Sequence, residues 1–359
     1  MTPEEMEQYD RKTTETLQAT VDAPASDIFI VAGRPISYRK HGSIRALNDE
    51  RLMPDATNAF VESLYRLANQ RDIRLLDCGD DDFSIALPGI ARFRVSAYKQ
   101  RGSMSAVLRI IAFQLPDPTE LGIPPQIIEM GNDTNGMVLV TGPAGSGKST
   151  TLACMIDHIN QTQNSHIITL EDPIEYLHRH NQSIVSQREL NVDTESFVSA
   201  LRAALRQSPD VILLGEMRDF ETISVAMTAA ETGHLLLSTL HTIGASNTIN
   251  RIVDVFPANQ QHQIAVQLSC VLNAVVSQQL LPTVDGGIVP AFEIMTITPA
   301  IRNMIRDNKI YQIDGVIYST SGNDNMISMD NSIKSLYQRG RITKETALTF
   351  AVNPDRLGI

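Results

Sequence analysis

The sequence predicts an α/β protein in which an N-terminal α+β domain precedes a larger domain built on a mostly parallel sheet. Three observations carry this prediction. They are a strand hairpin in the first third, a cluster of prolines after it, and apolar runs that alternate with amphipathic helices from there onward. A chain of 359 residues has room for two domains, each with its own core.

The hairpin is the clearest feature of the first domain, which we expect over residues 1–115. Phe83, Ile85 and Leu87 alternate with small or polar residues, a Pro-Gly pair can turn the chain, and the alternation then resumes. This period of two places Arg92 and Arg94 on the opposite face of the second strand from its apolar residues.

Prolines concentrate in residues 116–128, which we interpret as a linker to a second domain over 129–359.

Composition limits the partners and the compartment. The net charge of −11 argues against a nucleic-acid partner, because proteins that bind nucleic acids neutralise the phosphates with Lys and Arg. The acidic N-terminus does not resemble a signal peptide, and no apolar run approaches the roughly 18 residues of a membrane span. We therefore expect a cytoplasmic protein. Cys78, Cys154 and Cys270 match no metal or disulfide spacing and are expected to be buried thiols.

A glycine-rich loop opens the second domain. The segment MVLVTGPAGSGKSTTLACMIDHI reads as a buried strand, a G-x-x-x-x-G-K-S loop and a helix, the order that a phosphate-binding loop requires. Its glycines let backbone amides surround phosphates, Lys148 reaches the β and γ oxygens, and Ser149 offers a hydroxyl to Mg²⁺. The candidate nucleotide-binding residues are Gly142, Pro143, Ala144, Gly145, Ser146, Gly147, Lys148, Ser149 and Thr150.

Carboxylates follow the next two predicted strands, and two histidines flank the third. IITLEDPIE ends in Glu171, Asp172 and Glu175, and VILLGE delivers Glu216. His234 and His241 bracket the apolar run LLLSTL, and we interpret both as γ-phosphate sensors. Because the carboxyl ends of parallel strands meet at one edge, where ligands of open α/β sheets bind, we expect these groups around the loop.

These motifs, in this order, resemble the ATPases of type II secretion and type IV pilus systems. The resemblance covers the glycine loop 142–149, an acidic box TLEDPIE at 169–175, a Walker B segment ILLGEMRD at 212–219, and a histidine box TGHLLLSTLHT at 232–242. That family also carries glycine before the Walker B glutamate, as Gly215 does here. The segments SDIFIVAGRP and RFRVSAYKQRG look like the family's N-terminal domain, and ITPAIRNMIRDNK resembles an element of the pilus retraction branch.

The resemblance implies a PAS-like N-terminal domain, a RecA-like ATPase domain with additional C-terminal helices, and ATP with Mg²⁺ as cofactors. Ser149 and Glu216 are expected to hold Mg²⁺, with Glu216 acting directly or through water. The resemblance implies that Glu175 is the general base, in preference to Glu171, and that Glu171 and Asp172 orient the base or the metal. It also implies that arginines of the N-terminal domain reach a nucleotide at a subunit boundary, which makes the protein a homo-hexamer. The candidate arginines are Arg92, Arg94, Arg101 and Arg109.

The implied function is an ATP-driven motor for type IV pilus retraction and twitching motility, working at the cytoplasmic face of the membrane on the pilus platform protein. A pilus or secretion assembly ATPase has the same four motifs, and a nucleic-acid translocase has the same loop; both stay as alternatives. In the retraction element, we expect Thr298 to cap a helix that buries Ala300, Ile301, Met304 and Ile305 and turns Arg302, Asn303 and Arg306 outward.

Overall fold

The computed structural model describes residues 2–23, 25–40, 42–69, 73, 75–111, 115–320 and 326–359. The chain divides into two compact units. The first comprises residues 1–114 together with 175–177, and the second comprises residues 115–174 and 178–359. Each unit has its own sheet and its own core. Within the described ranges, no helix has both the length and the apolar character needed to cross a membrane.

The first unit is an antiparallel sheet covered by helices. Its described strands lie in the order β3-β2-β1-β6-β5-β4, α2 packs on β6, and α1 packs on α2. The core is made by apolar residues of both layers, including Leu17, Phe60, Leu64 and Ile85. The elements are α1 (Pro3–Asp22), β1 (Asp27–Ile30), β2 (Pro35–Lys40), β3 (Ser43–Arg51), α2 (Pro54–Leu67), α3 (Leu75–Cys78), β4 (Asp80–Leu87), β5 (Ala91–Gln100) and β6 (Ser103–Ile111).

The predicted hairpin is confirmed as β4 and β5. Phe83 pairs with Val95 and Ile85 pairs with Phe93, and all four side chains are buried. The alternation therefore predicted the correct pairing of β4 with β5. A shift of one residue would have turned these apolar side chains toward solvent.

The second unit is built on a sheet that is parallel except at one edge. Its described strands lie in the order β13-β12-β7-β11-β10-β8-β9, and only the β12–β13 pair among them is antiparallel. Every residue of the three central strands is buried, as expected for strands covered on both faces. The strands are β7 (Gly136–Thr141), β8 (His166–Glu171), β9 (Ile184–Glu189), β10 (Val211–Leu214), β11 (Leu235–Leu240), β12 (Leu272–Pro282) and β13 (Ile288–Thr296).

Helices cover both faces of this sheet. One face buries the helices α6 to α11 in a single apolar cluster, and the other buries α4 and α5. The helices are α4 (Pro125–Glu129), α5 (Lys148–Thr162), α6 (Phe197–Ala204), α7 (Phe220–Glu231), α8 (Ala245–Asp254), α9 (Ala258–Val271), α10 (Pro299–Arg306), α11 (Ile313–Thr320), α12 (Met329–Gln338) and α13 (Lys344–Phe350). The expected α/β fold, an N-terminal α+β unit followed by a RecA-like unit with added C-terminal helices, is thus present.

Three local expectations need correction or refinement. The proline-rich segment is not a free linker throughout, because Ile123 and Ile127 pack in the core of the second unit. Thr298 caps α10 as expected and Ile301 and Ile305 are fully buried, but Ala300 is exposed. Cys154 is buried, whereas Cys78 and Cys270 are exposed thiols.

Candidate active site

The glycine loop joins β7 to α5 and is shaped to enclose an anion. Gly142, Gly145 and Gly147 adopt φ values of 141°, 74° and 85°, which residues with a side chain rarely adopt. A Cβ on Gly142 would lie 2.1 Å from the carbonyl oxygen of Gln278, and one on Gly147 would lie 2.9 Å from Gln278 Nε2. The loop therefore needs glycine for close approach to β12 as well as for its backbone angles.

Polar groups of the loop converge on the same enclosure. Lys148 Nζ donates hydrogen bonds to the carbonyl oxygens of Gly142 at 2.9 Å and Pro143 at 2.8 Å. Ser146 Oγ is buried without a hydrogen-bond partner among the described residues. Buried hydroxyls rarely lack a partner, so this group suits a phosphate oxygen. The donor set, a lysine ammonium and the N-terminus of α5, fits a nucleotide phosphate.

Gln278 supports the loop from β12 and is a residue that sequence reasoning missed. Its Oε1 accepts a hydrogen bond of 2.7 Å from Thr151 Oγ1 on the first turn of α5, and both residues are buried. The sequence feature that could have identified it is the pair of glutamines inside the apolar strand LNAVVSQQLL, because a buried side-chain amide requires a hydrogen-bond partner.

Glu216 lies at the carboxyl end of β10, in a segment bonded to both neighbouring strands. Gly215 N donates to Leu170 O of β8 at 2.8 Å, and Met217 N donates to Thr239 O of β11 at 3.2 Å. A Cβ on Gly215 would lie 3.1 Å from Leu170 O, closer than ordinary contact. The approach of β8 thus favours glycine at this position, and an aspartate there would press its Cβ against Leu170 O.

The Glu216 carboxylate is held between two basic side chains. Oε1 lies 2.7 Å from Arg218 Nε and Oε2 lies 3.5 Å from His241 Nε2. The glutamate side chain is 16% exposed, compared with 70% for the arginine and 51% for the histidine.

Directly after this segment Asp219 caps α7, accepting from the Thr222 backbone at 2.9 Å and from its hydroxyl at 2.8 Å. The cap fixes where the Glu216 segment ends.

A cleft of about 330 Å³ opens beside Arg218 and His241, and both apolar and basic side chains line it. It is lined by Met217, Arg218, Ile223, Leu240, His241, Thr242, Arg251 and Val255.

Glu171 ends β8 and is engaged by its own sheet. Its Oε1 accepts from Thr169 Oγ1 at 2.7 Å and from Gln187 Nε2 of β9 at 3.1 Å.

Asp172 follows as an exposed residue, and the Asp172–Pro173 peptide is cis. The buried Glu189 on β9, also missed from the sequence, accepts from the Ile174 backbone at 3.0 Å and anchors this segment. Glu175 is exposed and belongs to the first compact unit.

His234 does not join this edge of the sheet. Its carbonyl oxygen accepts from the backbone of Gly136, the first residue of β7, and its ring Nδ1 lies 2.9 Å from Ala229 O. His241 follows the last residue of β11, so a six-residue strand, about 20 Å long, separates the two histidines. The expectation that both are γ-phosphate sensors in one site is therefore wrong for His234, because residues that bracket a strand lie at opposite edges of the sheet.

The candidate arginines occupy β5, β6 and the turn between them. Arg94 pairs directly with Arg109 across the two strands, and Arg109 Nε lies 3.1 Å from Asp27 Oδ1. Like charges placed opposite each other repel unless an anion lies between or beside them. Arg101 sits in the turn at φ 49°, nine residues from Arg92 and so about 30 Å along the strand. Arg92 and Arg101 therefore cannot serve one phosphate.

The chain is similar to known proteins over most of its length. The family model described as type II/IV secretion system protein matches residues 4–326. The chain is 44% identical over 342 residues to the type IV pilus retraction ATPase PilT of Pseudomonas aeruginosa, covering 95% of this chain and 98% of that protein. It is 47% identical over 320 residues to a twitching motility protein of Neisseria gonorrhoeae, covering 89% of this chain and 85% of that protein.

A solved structure is similar over the same length. The crystal structure of the pilus retraction motor PilT with bound ADP superposes with a TM-score of 0.87 at 45% identity, covering 96% of this chain and 98% of that one. The shared sequence, fold and order of motifs identify the protein as an ATPase. The chain belongs to the type II/IV secretion system protein family, in which it is similar to the PilT retraction ATPases.

Proposed function

We propose that this chain is an ATP-hydrolysing hexameric motor that powers retraction of a type IV pilus. The observation that carries the proposal is the convergence of the glycine loop, Glu171, Glu216 and His241 at one edge of a parallel sheet, in a chain similar over nearly its whole length to retraction ATPases. ATP binding and hydrolysis would shift the two units relative to each other, and a ring of subunits would couple that movement to the pilus.

The loop residues Gly142 to Thr150 bind the phosphates, and Lys148 neutralises their charge by exchanging its two loop carbonyls for phosphate oxygens. Ser149, next to it at the start of α5, and Glu216 would hold Mg²⁺. This site suits magnesium, which keeps most of its ligands as water and phosphate oxygens and needs few from the protein. Bound there, the metal would stabilise charge that develops on the phosphates.

The attacking water is activated by Glu175 in this proposal. Glu171 is less suited to that role, since its Oε1 already accepts two hydrogen bonds from Thr169 and Gln187. Glu171 would instead keep β8 and β9 in register beneath the acidic segment, and Asp172 would orient the base or the metal. His241, next to Glu216, would sense the γ-phosphate.

The remaining charge on the nucleotide calls for a cation from a second subunit. The opposed pair of Arg94 and Arg109, with Arg92 on the same strand, forms a basic face on the first unit. An arginine supplied in this way accelerates hydrolysis about 10³- to 10⁵-fold in other P-loop enzymes, which would make turnover depend on ring assembly. Arg101, at the far end of the hairpin, would serve a different contact.

The partner outside the ring would be the platform protein of the pilus machine, at the cytoplasmic face of the membrane. The exposed face of α10, with Arg302, Asn303 and Arg306, offers a polar and basic surface for it. The net charge of −11 gives no reason to propose a nucleic acid in its place.

The test is a count of surface pili and of single-pilus retraction events in cells that lack this gene. A retraction motor predicts excess pili that do not retract, and rescue by the wild type but not by Glu216→Ala. Cells without pili would instead identify an assembly ATPase, and unchanged pili would refute a pilus function.

A further inference from the structure

Glu293 is a buried carboxylate that the proposed mechanism does not use. It lies on β13, 8% exposed, and its Oε1 accepts a hydrogen bond of 2.8 Å from the backbone of Ala245. Ala245 is the first residue of α8, so the carboxylate caps a helix N-terminus, where a negative charge is favoured. The backbone amide of Met329, which begins α12, donates to the same carboxylate.

The helix that Glu293 caps begins four residues after His241. Within that loop, Gly244 N donates to Ser277 Oγ of β12 at 2.9 Å, and the Thr242 and Thr248 hydroxyls lie 2.7 Å apart. Gly244 has a φ of 87°, and a Cβ there would approach Glu293 Oε1 to 3.7 Å. The loop after His241 is thus fixed at its far end by β12, β13 and α8.

The anchors of this loop are in register with the glycine loop. Ser277 pairs with Glu293 across β12 and β13, and on its other side it pairs with Thr141, the last residue of β7 before Gly142. A row of three neighbouring strands therefore fixes the phosphate loop and the His241 loop against each other.

We propose that Glu293 is a positioning residue for His241. By capping α8 and holding the loop 242–245, it keeps the His241 ring within reach of Glu216, where the two side chains lie 3.5 Å apart. Retaining a carboxylate in this position has a cost. Burial raises the pKa of Glu293, and the carboxylates of Asp314 and Asp330 raise it further. An apolar side chain would avoid this desolvation but would leave the Ala245 amide at the start of α8 without its acceptor. The inference rests on the roles proposed for Glu216 and His241.

Asp330 supplies a matched control. It is also a buried carboxylate, 4% exposed, and it accepts from the backbone amides of Val352 at 2.8 Å and Asn353 at 3.2 Å. Those contacts lie in the C-terminal segment and not in the His241 loop. Asp330→Ala therefore removes a comparable buried acceptor without loosening the loop.

The experiment is a double-mutant cycle on the purified full-length protein, in which kcat, KM and nucleotide Kd are measured for Glu293→Ala, His241→Ala and the pair. We expect Glu293→Ala to lower kcat about 10- to 100-fold, as misplacement of a catalytic group does, with nucleotide Kd unchanged. In the His241→Ala background the same substitution should have no further effect on kcat. Asp330→Ala should lower the melting temperature and leave kcat unchanged.

Glu293→Gln keeps an acceptor for the Ala245 amide and serves if the alanine variant does not fold. It should restore part of kcat in the wild-type background and change nothing in the His241→Ala background. A loss of kcat by Glu293→Ala or Glu293→Gln that is equal in both backgrounds would overturn the inference, as would wild-type kcat in Glu293→Ala. If His241→Ala alone had wild-type kcat, the proposed site would fail and this inference with it. The kcat of His241→Ala alone therefore distinguishes failure of the proposed site from failure of the role assigned to Glu293.

Discussion

Oε1 of Gln278 accepts a hydrogen bond of 2.7 Å from Thr151 Oγ1, which joins β12 to the helix that follows the phosphate loop. The two residues are 127 positions apart in the chain. The main-chain oxygen of the same glutamine faces Gly142. One residue of β12 thus shapes both ends of the loop.

Replacing Gln278 with alanine should weaken nucleotide binding. The substitution leaves the buried Thr151 hydroxyl without its acceptor, at a cost of about 1–3 kcal/mol. If half of that loss falls on the bound loop conformation, ATP affinity drops about 2- to 12-fold. Binding of a fluorescent ATP analogue measures the effect, with Gln279→Ala as the control because Gln279 faces Phe350 instead. Equal affinity in wild type and Gln278→Ala would contradict the role assigned to this residue.

Gly142→Ala should abolish nucleotide binding, since the added Cβ would lie 2.1 Å from Gln278 O. Gly233→Ala is the control. Its φ of 98° is also unfavourable for alanine, but a Cβ there meets nothing within 4 Å, and it lies at the opposite edge of the sheet. Both variants should lose about 1–2 kcal/mol of stability from the backbone strain, and only Gly142→Ala should fail to bind. Retained binding in Gly142→Ala would show that the loop can move away from β12.

His178 should make the second unit sensitive to acid. Burial lowers the pKa of His178 to about 4 from an ordinary value of 6.5. Between these values the unfolded chain binds a proton that the folded chain does not, so stability falls as the pH falls from 6.5 toward 4. Allowing for partial exposure, the loss is about 1–3 kcal/mol.

The measurement is the urea midpoint at pH 7.5 and pH 5 for wild type and His178→Gln. The variant should lose less stability on acidification than the wild type, whereas substitution of the exposed His262 should change nothing. The same pH dependence in wild type and His178→Gln would exclude His178 as the cause.

The cysteines should separate by reactivity. Burial raises the pKa of Cys154 to about 12, while Cys78 and Cys270 are exposed. Because the thiolate is the reactive form, iodoacetamide at pH 8 should label the two exposed thiols of the native protein and reach Cys154 only in urea. Mass spectrometry counts the labels, and Cys154→Ala should take up the same number with and without urea. Rapid labelling of Cys154 in the native protein would be inconsistent with the core around α5.

Local patterns predicted much of the fold. Alternation located the β4–β5 hairpin, and the predicted order of strand, glycine loop and helix is present as β7, the loop and α5. Each of these features is set by neighbours in sequence. The motif order also placed the phosphate loop, Glu171, Glu216 and His241 at one sheet edge, because parallel strands share the direction of their carboxyl ends.

The contacts that the sequence could not predict are long-range. Glu293 meets Ala245 and Gln278 meets Thr151 only because β12 and β13 fold back beside β7, and neither pairing has a local signature. His234 and His241 are close in sequence, but one precedes β11 and the other follows it, so the two rings lie at opposite ends of the strand. A glutamate in the apolar strand β13 and a pair of glutamines in the apolar strand β12 indicated that such partners exist, but not which residues they are.

The most direct test of the proposed site compares nucleotide binding and turnover in purified Glu216→Ala and Glu221→Ala. Glu221 is an exposed residue on the first turn of α7 and serves as the matched control. Loss of a metal-binding carboxylate should leave ATP affinity near the wild-type value and reduce kcat about 100-fold or more, whereas Glu221→Ala should behave as the wild type. Wild-type turnover in Glu216→Ala would contradict the assignment of this sheet edge as the hydrolysis centre.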